Sequence, residues 1–353
     1  MTKEFDLLVF IGRFQPYHVE HHRVIATALE KSKHVLVLVG SAGSSRTIRN
    51  PFTFEERKRM ISSSFDVADI SRIIIKPIYD KTYNDTAWIK QIQDVATSVA
   101  LDVGNPSGFK ANGMSDLYLG LIGAEKDHTS YYLKMFPQWD SVNVPIEDPL
   151  HATEIREHYI DGTTQRYQVH STQLSSPVCD FLFDEFIYTN AYTQLQKELD
   201  HVRSYKKSWT AAPYPVKHVT CDAVVELGGH ILLVKRRAEP GKGLWAIPGG
   251  HLNEYETLVN GVIRELKEET KIKVPEAVLR GSIIATKMFD DPYRSTLGRV
   301  ITHAAHIKLN GTVLPKIKGA DDAEKAQWIP INEIKENMLF DDHYHIIQYF
   351  LGV

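Results

Sequence analysis

Two short apolar runs near the start of the chain, residues 5–11 and 34–40, constrain the fold more than any other feature. Both are rich in Leu, Val, Ile and Phe without alternating polar positions, which is typical of strands buried on both faces of a parallel sheet. The segment between them is amphipathic, with apolar positions at Val24, Ile25, Ala28 and Leu29. Strand, helix and strand in this order predict a right-handed βαβ unit within an open α/β sheet.

The loop after the first run carries two histidines at a position where open α/β sheets bind ligands, beyond the carboxyl ends of the strands. His18 and His21 are spaced i, i+3 near a predicted helix start. Both imidazoles can therefore face one anion, beside the helix dipole and the N–H groups of the first turn. Two histidines taken alone are more often ordinary polar surface, and the spacing by itself leaves that interpretation open.

A cluster of glutamates marks the second half of the chain, within residues 250–272. Glu265, Glu268 and Glu269 fall at i, i+3 and i+4, so a helix places their three carboxylates on one face. Adjacent anions destabilise a helix unless a cation binds them, and clustered oxygen ligands suit Mg²⁺ or Mn²⁺ together with a substrate phosphate. The alternative is a solvated, charge-rich surface helix.

Composition limits the class of protein. The 353 residues suffice for two domains with separate cores. A net charge of -3, from 41 basic and 44 acidic residues, argues against a protein that coats nucleic acid. The two cysteines, Cys179 and Cys221, predict a reducing compartment without a disulfide framework. No signal-like or membrane-spanning apolar segment occurs in the sequence, so we expect a soluble cytoplasmic protein.

The domain boundary is predicted from turn and linker chemistry. Ser176 and Pro177 are expected to open a helix that closes the first half, with Ser176 as its N-cap. Residues 216–227 and 229–235 form a strand–turn–strand pattern that opens the second half. The predicted divisions are a first domain at residues 1–200, an exposed connector at 201–215 and a second domain at 216–353.

The loop after the first strand resembles the G-x-F-x-P-x-H-x-G-H motif of the nucleotidyltransferase superfamily. The matching residues are Gly12, Phe14, Pro16, His18 and His21. The resemblance implies a Rossmann-like domain with a parallel sheet, in which the two histidines hold the triphosphate of ATP. Glu20 stands where the motif has its second Gly, and a carboxylate there is unfavourable unless it points away from the phosphates.

A second phosphate motif of this superfamily, I-S-x-T-x-x-R, is matched by Thr153 and Arg156, whereas Leu150 and His151 replace its Ile and Ser. The resemblance implies that a hydroxyl and a guanidinium bind the triphosphate. The implied ATP-binding residues are Gly12, Arg13, Phe14, His18, His21, Thr153 and Arg156. His18, His21 and Arg156 are the implied catalytic residues, because nucleotidyl transfer depends on positioning and charge neutralisation.

Three further segments, at residues 50–61, 83–88 and 123–127, resemble the nicotinamide-mononucleotide (NMN) adenylyltransferase branch. The implied NMN-binding residues are Asn84, Asp85, Trp88, Lys126 and Asp127. Trp88 can stack on the pyridine ring, although a tryptophan taken alone is more often a core residue. The branch implies transfer of AMP from ATP to NMN, giving NAD and pyrophosphate. Nicotinate mononucleotide and phosphopantetheine are alternative substrates.

Residues 250–272 resemble the Nudix box, G-x5-E-x7-R-E-U-x-E-E-x-G-U with U aliphatic. The box implies an α/β/α Nudix fold with a mixed sheet. It also implies a catalytic metal site on Glu265, Glu268 and Glu269, for Mg²⁺ or alternatively Mn²⁺. Lys271 replaces the last Gly of the box, so we expect an altered helix exit. Arg264 is expected to orient a carboxylate such as Glu256 rather than to touch substrate.

Segments on both sides of the box resemble ADP-ribose pyrophosphatases. The implied ADP-ribose-binding residues are Arg236, Gly249, Gly250, Arg294 and Arg299. The implied reaction is hydrolysis of ADP-ribose to AMP and ribose 5-phosphate. The predicted ligands of the whole chain are thus ATP, NMN, NAD and ADP-ribose, with neither nucleic acid nor membrane. A non-catalytic ADP-ribose sensor and a scaffold protein are the alternatives, and a homo-oligomeric state is left open.

Overall fold

The computed structural model describes residues 4–104, 117–124, 134–145, 152–170 and 172–352. Contacts between Cα atoms divide the chain into two compact units, Met1–Gln196 and Lys197–Val353. Each unit is built around its own sheet. Among the described helices, none combines the length and the apolar composition needed to traverse a bilayer.

The first unit contains a five-stranded sheet in which every neighbouring pair is parallel. Its strand order is β3-β2-β1-β4-β5, so the chain crosses over β1 to reach β4. The strands are β1 (Phe5–Gly12), β2 (Ser32–Val39), β3 (Ile73–Pro77), β4 (Leu119–Gly123) and β5 (Asp140–Asn143). The predicted βαβ unit and parallel sheet are confirmed.

Helices cover this sheet because the crossovers between parallel strands require them. The helices of the first unit are α1 (Val19–Lys31), α2 (Phe54–Ser62), α3 (Val67–Ile70), α4 (Asp85–Gly104), α5 (Ala152–Ile160), α6 (Arg166–Val169) and α7 (Ser176–Asp180). Helix α8 (Asn190–Ser208) ends the first unit and opens the second. The buried residues of α1 are the four apolar positions that the sequence predicts. Ile92 and Ala96 of α4 pack against Leu7, Leu36 and Leu121 of the sheet.

The end of the first unit departs from the sequence prediction in two respects. The N-cap of α7 is Ser175 rather than Ser176. The single predicted helix is divided, because a π-helical turn at Phe181–Glu185 and a 3-10 turn at Phe186–Tyr188 separate α7 from α8. Helix α8 then continues to Ser208 with Val202 buried, so the first eight residues of the predicted connector are helical.

The second unit contains a seven-stranded mixed sheet. Its main order is β10-β11-β6-β7-β12, with β8 beside β7 and β9 beside β6. Strands β11 and β6 are parallel, and the other pairs are antiparallel. The strands are β6 (Lys217–Leu227), β7 (His230–Arg236), β8 (Trp245–Ala246), β9 (Gly249–His251), β10 (Ile283–Phe289), β11 (Arg299–Lys308) and β12 (Ala323–Pro330).

Helices α9 (Leu258–Thr270), α10 (Glu276–Gly281) and α11 (His343–Leu351) complete the second unit. Val262 and Leu266 of α9 pack on Ala305 of β11 within one core cluster. On the other face of β11, the ring of His306 lies 5.5 Å from that of Phe350 in α11. Successive strand residues face opposite sides, so the sheet lies between α9 and α11. The predicted α/β/α arrangement with a mixed sheet is confirmed.

Candidate active sites

The turn after β1 is shaped by Gly12 and Phe14. A Cβ on Gly12 would lie 2.8 Å from the Phe14 ring, a separation that real side chains do not adopt. Phe14 is buried and has a φ of 52°, so the chain reverses tightly here. The backbone N–H of Gly40 donates to the Gly12 carbonyl at 2.8 Å. The loops after β1 and β2 therefore lie side by side at the carboxyl edge of the sheet.

Two buried side chains fix this turn against the start of α2. The Gln15 amide donates to the Phe52 carbonyl at 2.9 Å and accepts from the Phe52 N–H at 3.0 Å. Arg57 of α2 donates from Nη1 to the carbonyls of Arg13, at 2.7 Å, and Gly40, at 2.6 Å. Burial lowers the pKa of Arg57 to about 10. Arg57 thus positions the loop by binding its backbone.

The two histidines of the loop lie face to face at the start of α1. His18 is the N-cap residue and is 2% exposed. Its ring centroid lies 3.7 Å from that of His21, at an interplanar angle of 31°. The i, i+3 spacing therefore does bring both imidazoles to one place, at the end of a helix where the backbone dipole favours an anion.

Arg156 of α5 joins the same edge. Its Nη1 donates to the Gln15 carbonyl at 2.7 Å, and its Nη2 donates to the Thr153 hydroxyl at 3.1 Å. Burial, together with the charges of Arg13 and Arg49, lowers the pKa of Arg156 to about 10. Two further guanidinium groups thus lie close enough to Arg156 to repel its charge, which is the electrostatic arrangement of a polyanion site. Sequence reasoning missed Arg49, which directly precedes the 50–61 segment.

Glu20, the residue that departs from the nucleotidyltransferase motif, is neutralised locally. Its carboxylate accepts from Arg23 Nη2 at 2.7 Å, one helical turn further on. A paired carboxylate repels a neighbouring phosphate much less than an isolated one. The ion pair offsets the charge of Glu20, and the orientation of its carboxylate away from the phosphates stays a prediction.

The predicted NMN-binding residues occupy the start of α4. Asn84 accepts the Ala87 N–H at 3.0 Å and so caps the helix, and Asp85 is exposed in its first turn. Trp88 is partly buried against the core, 6.2 Å from the ring of Phe136. The structure thus gives Asn84 and Trp88 structural contacts as well. Lys126 and Asp127 lie outside the described residues.

In the second unit, two glycines allow strand β9 to approach acidic side chains. A Cβ on Gly249 would lie 1.9 Å from Asp222 Oδ1, and one on Gly250 would lie 2.6 Å from Glu265 Oε1. The Gly249 N–H donates to Glu269 Oε2 at 3.0 Å. Gly249 requires glycine, because a Cβ there would also lie 2.7 Å from the Cys221 carbonyl oxygen, whereas a Cβ on Gly250 would displace the Glu265 carboxylate.

The three box glutamates lie on one face of α9 but have different partners. Arg264 Nη1 donates to Glu265 at 2.7 Å and to Glu268 at 2.9 Å, whereas Glu269 accepts from Gly249. Burial raises the pKa of Glu269 to about 8 and that of Glu265 in the same direction. Within the described ranges, no group of three His, Cys, Asp or Glu side chains converges as a metal site. The donor set nonetheless fits a divalent ion, since a cation would compensate two buried carboxylates.

Arg264 is the centre of this ionic network. It binds both oxygens of Glu256, at 2.6 and 3.0 Å, and donates to the His251 carbonyl at 3.0 Å. These contacts raise the pKa of Arg264, the bond to Glu256 contributing most. The predicted pairing with Glu256 is confirmed. The additional contacts with Glu265 and Glu268 were not predicted.

Lys271, the residue that departs from the Nudix box, adopts the conformation expected of the glycine it replaces. It is the C-cap of α9 with a φ of 46° and a ψ of 32°, and its N–H donates to the Lys267 carbonyl at 3.0 Å. The predicted change in the helix exit is wrong. The left-handed cap is retained, and Lys271 bears a conformational cost of about 1 kcal/mol instead.

A cavity of about 240 Å³ opens beside β9. Of the predicted ADP-ribose-binding residues, those that line it are Arg236, Gly249, Gly250 and Arg294. Arg294 is buried and forms a bidentate ion pair with Asp342 at 2.8 and 2.9 Å. Arg299 is not among the lining residues, and its Nη1 donates to the Asp290 carbonyl at 2.5 Å. The structure thus brings four of the five together.

Two buried cavity residues escaped the sequence analysis. Asp222 accepts the Thr302 hydroxyl, and burial raises its pKa to about 6. His343 accepts the Ile247 N–H on Nδ1 at 3.0 Å, and burial lowers its pKa to about 3, so its neutral ring carries the proton on Nε2. The available signal for Asp222 was an acidic residue inside the apolar run of β6. His343 lies 96 positions from Ile247, and only folding brings the two together.

Comparison with known proteins gives a separate family match for each of the two units. A cytidylyltransferase-like family model matches residues 9–158, and the NUDIX domain model matches residues 216–350. The chain is 40% identical over 160 residues to the nicotinamide/nicotinic acid mononucleotide adenylyltransferase of Acinetobacter baylyi, which covers 45% of this chain and 78% of that protein. It is 32% identical over 133 residues to the ADP-ribose pyrophosphatase of Methanocaldococcus jannaschii, covering 38% and 72%.

Two solved structures of one protein match along the full length. The bifunctional NMN adenylyltransferase/ADP ribose pyrophosphatase from Francisella tularensis, complexed with AMP and a Mn ion, superimposes with a TM-score of 0.87 at 35% identity over 99% of both chains. By contrast, the chain spans about half the length of several archaeal nicotinamide-nucleotide adenylyltransferases that it matches. Fold and sites define a nucleotidyltransferase unit followed by a Nudix unit. The chain belongs to the nicotinamide/nicotinic acid mononucleotide adenylyltransferase family, in the form that also carries a NUDIX domain.

Proposed function

We propose that the chain is a bifunctional enzyme of NAD metabolism. The first unit transfers AMP from ATP to NMN, which gives NAD and pyrophosphate, and the second hydrolyses ADP-ribose to AMP and ribose 5-phosphate. The observation that carries the proposal is that each unit groups like charges around one buried charged side chain. Arg13 and Arg49 lie close to buried Arg156 in the first unit, and Glu265 and Asp222 lie close to buried Glu269 in the second. Together with the full-length match to a bifunctional enzyme, this supports two phosphate-handling centres in one chain.

In the first unit, a phosphate oxygen of NMN attacks the α-phosphorus of ATP, and pyrophosphate leaves. The attacking phosphate is already an anion at neutral pH, so no side chain has to remove a proton. His18, His21 and Arg156 hold the triphosphate and neutralise the charge that builds up on it, with Thr153 as an additional donor. The turn of Gly12, Arg13 and Phe14 supplies the surface on which ATP lies.

NMN binds at the start of α4 in this proposal. Trp88 stacks on the pyridine ring with the part of its indole that does not face the core. Asn84 uses its side-chain oxygen as the helix cap, which leaves its amide N–H groups for the ligand. Asp85 is exposed beside it, and Lys126 and Asp127 complete the predicted set.

In the second unit, Glu265, Glu268 and Glu269 would hold Mg²⁺, with Mn²⁺ as the alternative. When bound, such an ion polarises the diphosphate and lowers the pKa of a bound water. Arg264 positions the glutamates. Arg236, Gly249, Gly250 and Arg294 form the ADP-ribose site, the two glycines by allowing close approach of the backbone, whereas Arg299 lies outside the cavity lining.

A non-catalytic sensor is the alternative for the second unit, and Lys271 was the feature that favoured it. Because Lys271 keeps the left-handed helix cap, the glutamates lie in the frame of an active box. This observation favours hydrolysis over binding alone. The cytoplasmic location and a homo-oligomeric state stay predictions.

The direct test supplies the full chain with Mg²⁺ and either ATP plus NMN or ADP-ribose. We expect NAD and pyrophosphate from the first mixture, and AMP and ribose 5-phosphate from the second, identified by chromatography. Nicotinate mononucleotide in place of NMN measures the preference for the amide. Absence of AMP from ADP-ribose at every enzyme concentration would leave only the sensor function, and absence of NAD would refute the transferase assignment.

A further inference from the structure

The cavity of the second unit has a lining residue from outside the segment that the NUDIX model matches. Tyr205, on α8, lines the cavity together with Thr220 and His251. Residues 216–350 make up the matched segment, so Tyr205 belongs to the preceding helix, where the sequence predicted an exposed connector. The helix that opens the second unit therefore contributes directly to its candidate active site.

Strand β6 connects the two ends of this cavity. His218, Thr220 and Asp222 alternate along β6, so their side chains lie on the same face of the strand. Asp222 lies next to Gly249, close to Glu269, whereas Thr220 is paired with His251. Four residues of strand span about 13 Å. His218, two residues before Thr220 on β6, therefore lies beyond the Thr220 end of the cavity and about 13 Å from Asp222.

Beside that end, four rings form what we call the aromatic wall, composed of Tyr205, Trp209, His218 and His251. Tyr205 and His251 line the cavity, whereas Trp209 and His218 adjoin them. Trp209 lies edge-on to His218 at 5.1 Å, and Tyr205 lies 5.7 Å from His218. His251 packs edge-on to His218 from the other side at 5.6 Å. Trp209 is 45% exposed, so a large part of its ring remains available to a ligand.

The rings of the aromatic wall are uncharged, which suits them to stacking on a ligand. The Tyr205 hydroxyl lies within hydrogen-bond distance of His218 Nε2, at 3.4 Å. Burial and the neighbouring His251 lower the pKa of His218, which favours its neutral ring. Neutral aromatic rings bind planar bases by stacking. This interaction does not depend on which base is bound.

We propose that the aromatic wall binds the base of the nucleotide substrate of the second unit, while the diphosphate lies toward Glu269. This inference rests on the proposed ADP-ribose pyrophosphatase function. ADP-ribose is elongated, with a purine at one end and a diphosphate near its centre, and the cavity has an aromatic end and an acidic end in the same order. Tyr205 and Trp209 thereby determine specificity for diphosphates that carry a base.

The test compares two substrates that have the same scissile diphosphate, ADP-ribose and a base-free bis(ribosyl) diphosphate, on the full chain with Mg²⁺. We expect Tyr205→Ala and Trp209→Ala each to raise the KM for ADP-ribose about 10-fold, within the range that loss of a base–aromatic stack produces. The kcat should change by less than about 2-fold, because the stack forms in the ground state as well. The base-free diphosphate should show no change.

Tyr205→Phe and Trp209→Phe are the matched controls, because they keep a stacking ring and should retain the KM of the parent chain. Equal effects of the alanine variants on both substrates, or no effect on either, would overturn the proposal and leave the wall as packing between α8 and β6. If the parent chain cleaves neither diphosphate, the proposed hydrolase function is refuted, but the base-binding proposal is not. In that case the Kd for ADP-ribose is measured by calorimetry without metal, and the aromatic wall predicts that Tyr205→Ala raises it about 10-fold.

Discussion

The two units handle phosphate with opposite electrostatics. In the first, burial lowers the pKa of Arg156 to about 10, next to Arg13 and Arg49. In the second, burial raises the pKa of Glu269 to about 8, next to Glu265 and Asp222. Each site thus holds like charges beside a buried charged side chain, at an unfavourable free energy that a ligand of the opposite sign would relieve. In the proposed function, the cationic site binds polyphosphate directly, whereas the acidic site holds a metal ion that contacts the diphosphate.

The largest expected effect is a clean separation of the two activities. We expect Glu269→Gln to lower kcat/KM for ADP-ribose about 100- to 1000-fold and to leave NAD formation unchanged. His18→Ala should have the reverse effect, because we propose that His18 binds the triphosphate. Steady-state assays of both reactions on each variant measure this.

Glu276→Gln and His158→Ala are the controls for these variants, since both remove an exposed side chain of the same type from the same unit. Loss of both activities in either active-site variant would show that the sites are coupled or that folding has failed. The contrast drawn between the two units would then be wrong.

Two buried arginines of the first unit are expected to have different roles, Arg156 in phosphate binding and Arg57 in stability. Arg156→Lys should lower kcat/KM for NAD formation about 10- to 100-fold, since lysine lacks the planar fork that binds phosphate. Arg57→Lys should instead lower the free energy of unfolding by about 2 kcal/mol, since Arg57 binds backbone carbonyls. Urea denaturation and the transferase assay distinguish the two roles. An Arg57 variant of parental stability would contradict the structural role.

The acidic site predicts a pH dependence of stability in the absence of divalent metal. Glu269 has a folded pKa of about 8 against an ordinary value of 4.5, so the folded protein binds the extra proton between these limits. The stability of the second unit should therefore fall as pH rises from about 4.5 to about 8. Glu269→Gln should remove this contribution, and added Mg²⁺ should stabilise more at pH 8 than at pH 5. Melting temperatures across this range, with and without Mg²⁺, would refute the assignment if they changed equally in both proteins.

The smallest expected effect concerns the helix exit. Lys271→Gly should increase the free energy of unfolding by about 1 kcal/mol, because glycine adopts the left-handed conformation without the steric cost that lysine bears. Lys273→Gly is the control, because Lys273 lacks a positive φ and should only lose stability. A destabilised Lys271→Gly protein in chemical denaturation would contradict the left-handed cap. The hydrolase kcat should stay at the parental value.

The sequence predicts local features well because short-range periodicity determines them. The apolar run of β1, the buried face of α1 and the spacing of Glu265 and Glu269 in α9 all depend on residues within a few positions of one another. The family motifs extend this to the parallel sheet and the mixed sheet.

The features that the sequence does not predict arise from tertiary contacts. Asp222, Thr302 and His343 come from distant parts of the chain and line or support one cavity. Helix α8 continues into the predicted connector as far as Ser208. The charged residues around Tyr205 gave no indication in the sequence that its side chain lines a cavity. Lys271 keeps a glycine conformation because the surrounding helix exit imposes it.

The most direct test of two electrostatically opposite sites is a crystal of the full chain grown with ATP and Mn²⁺ and examined by anomalous diffraction. The account predicts a Mn²⁺ peak against the face of α9 that bears Glu265, Glu268 and Glu269. It also predicts a triphosphate between the His18–His21 pair and Arg156. A metal peak away from α9, together with a triphosphate that avoids the histidines, would contradict it.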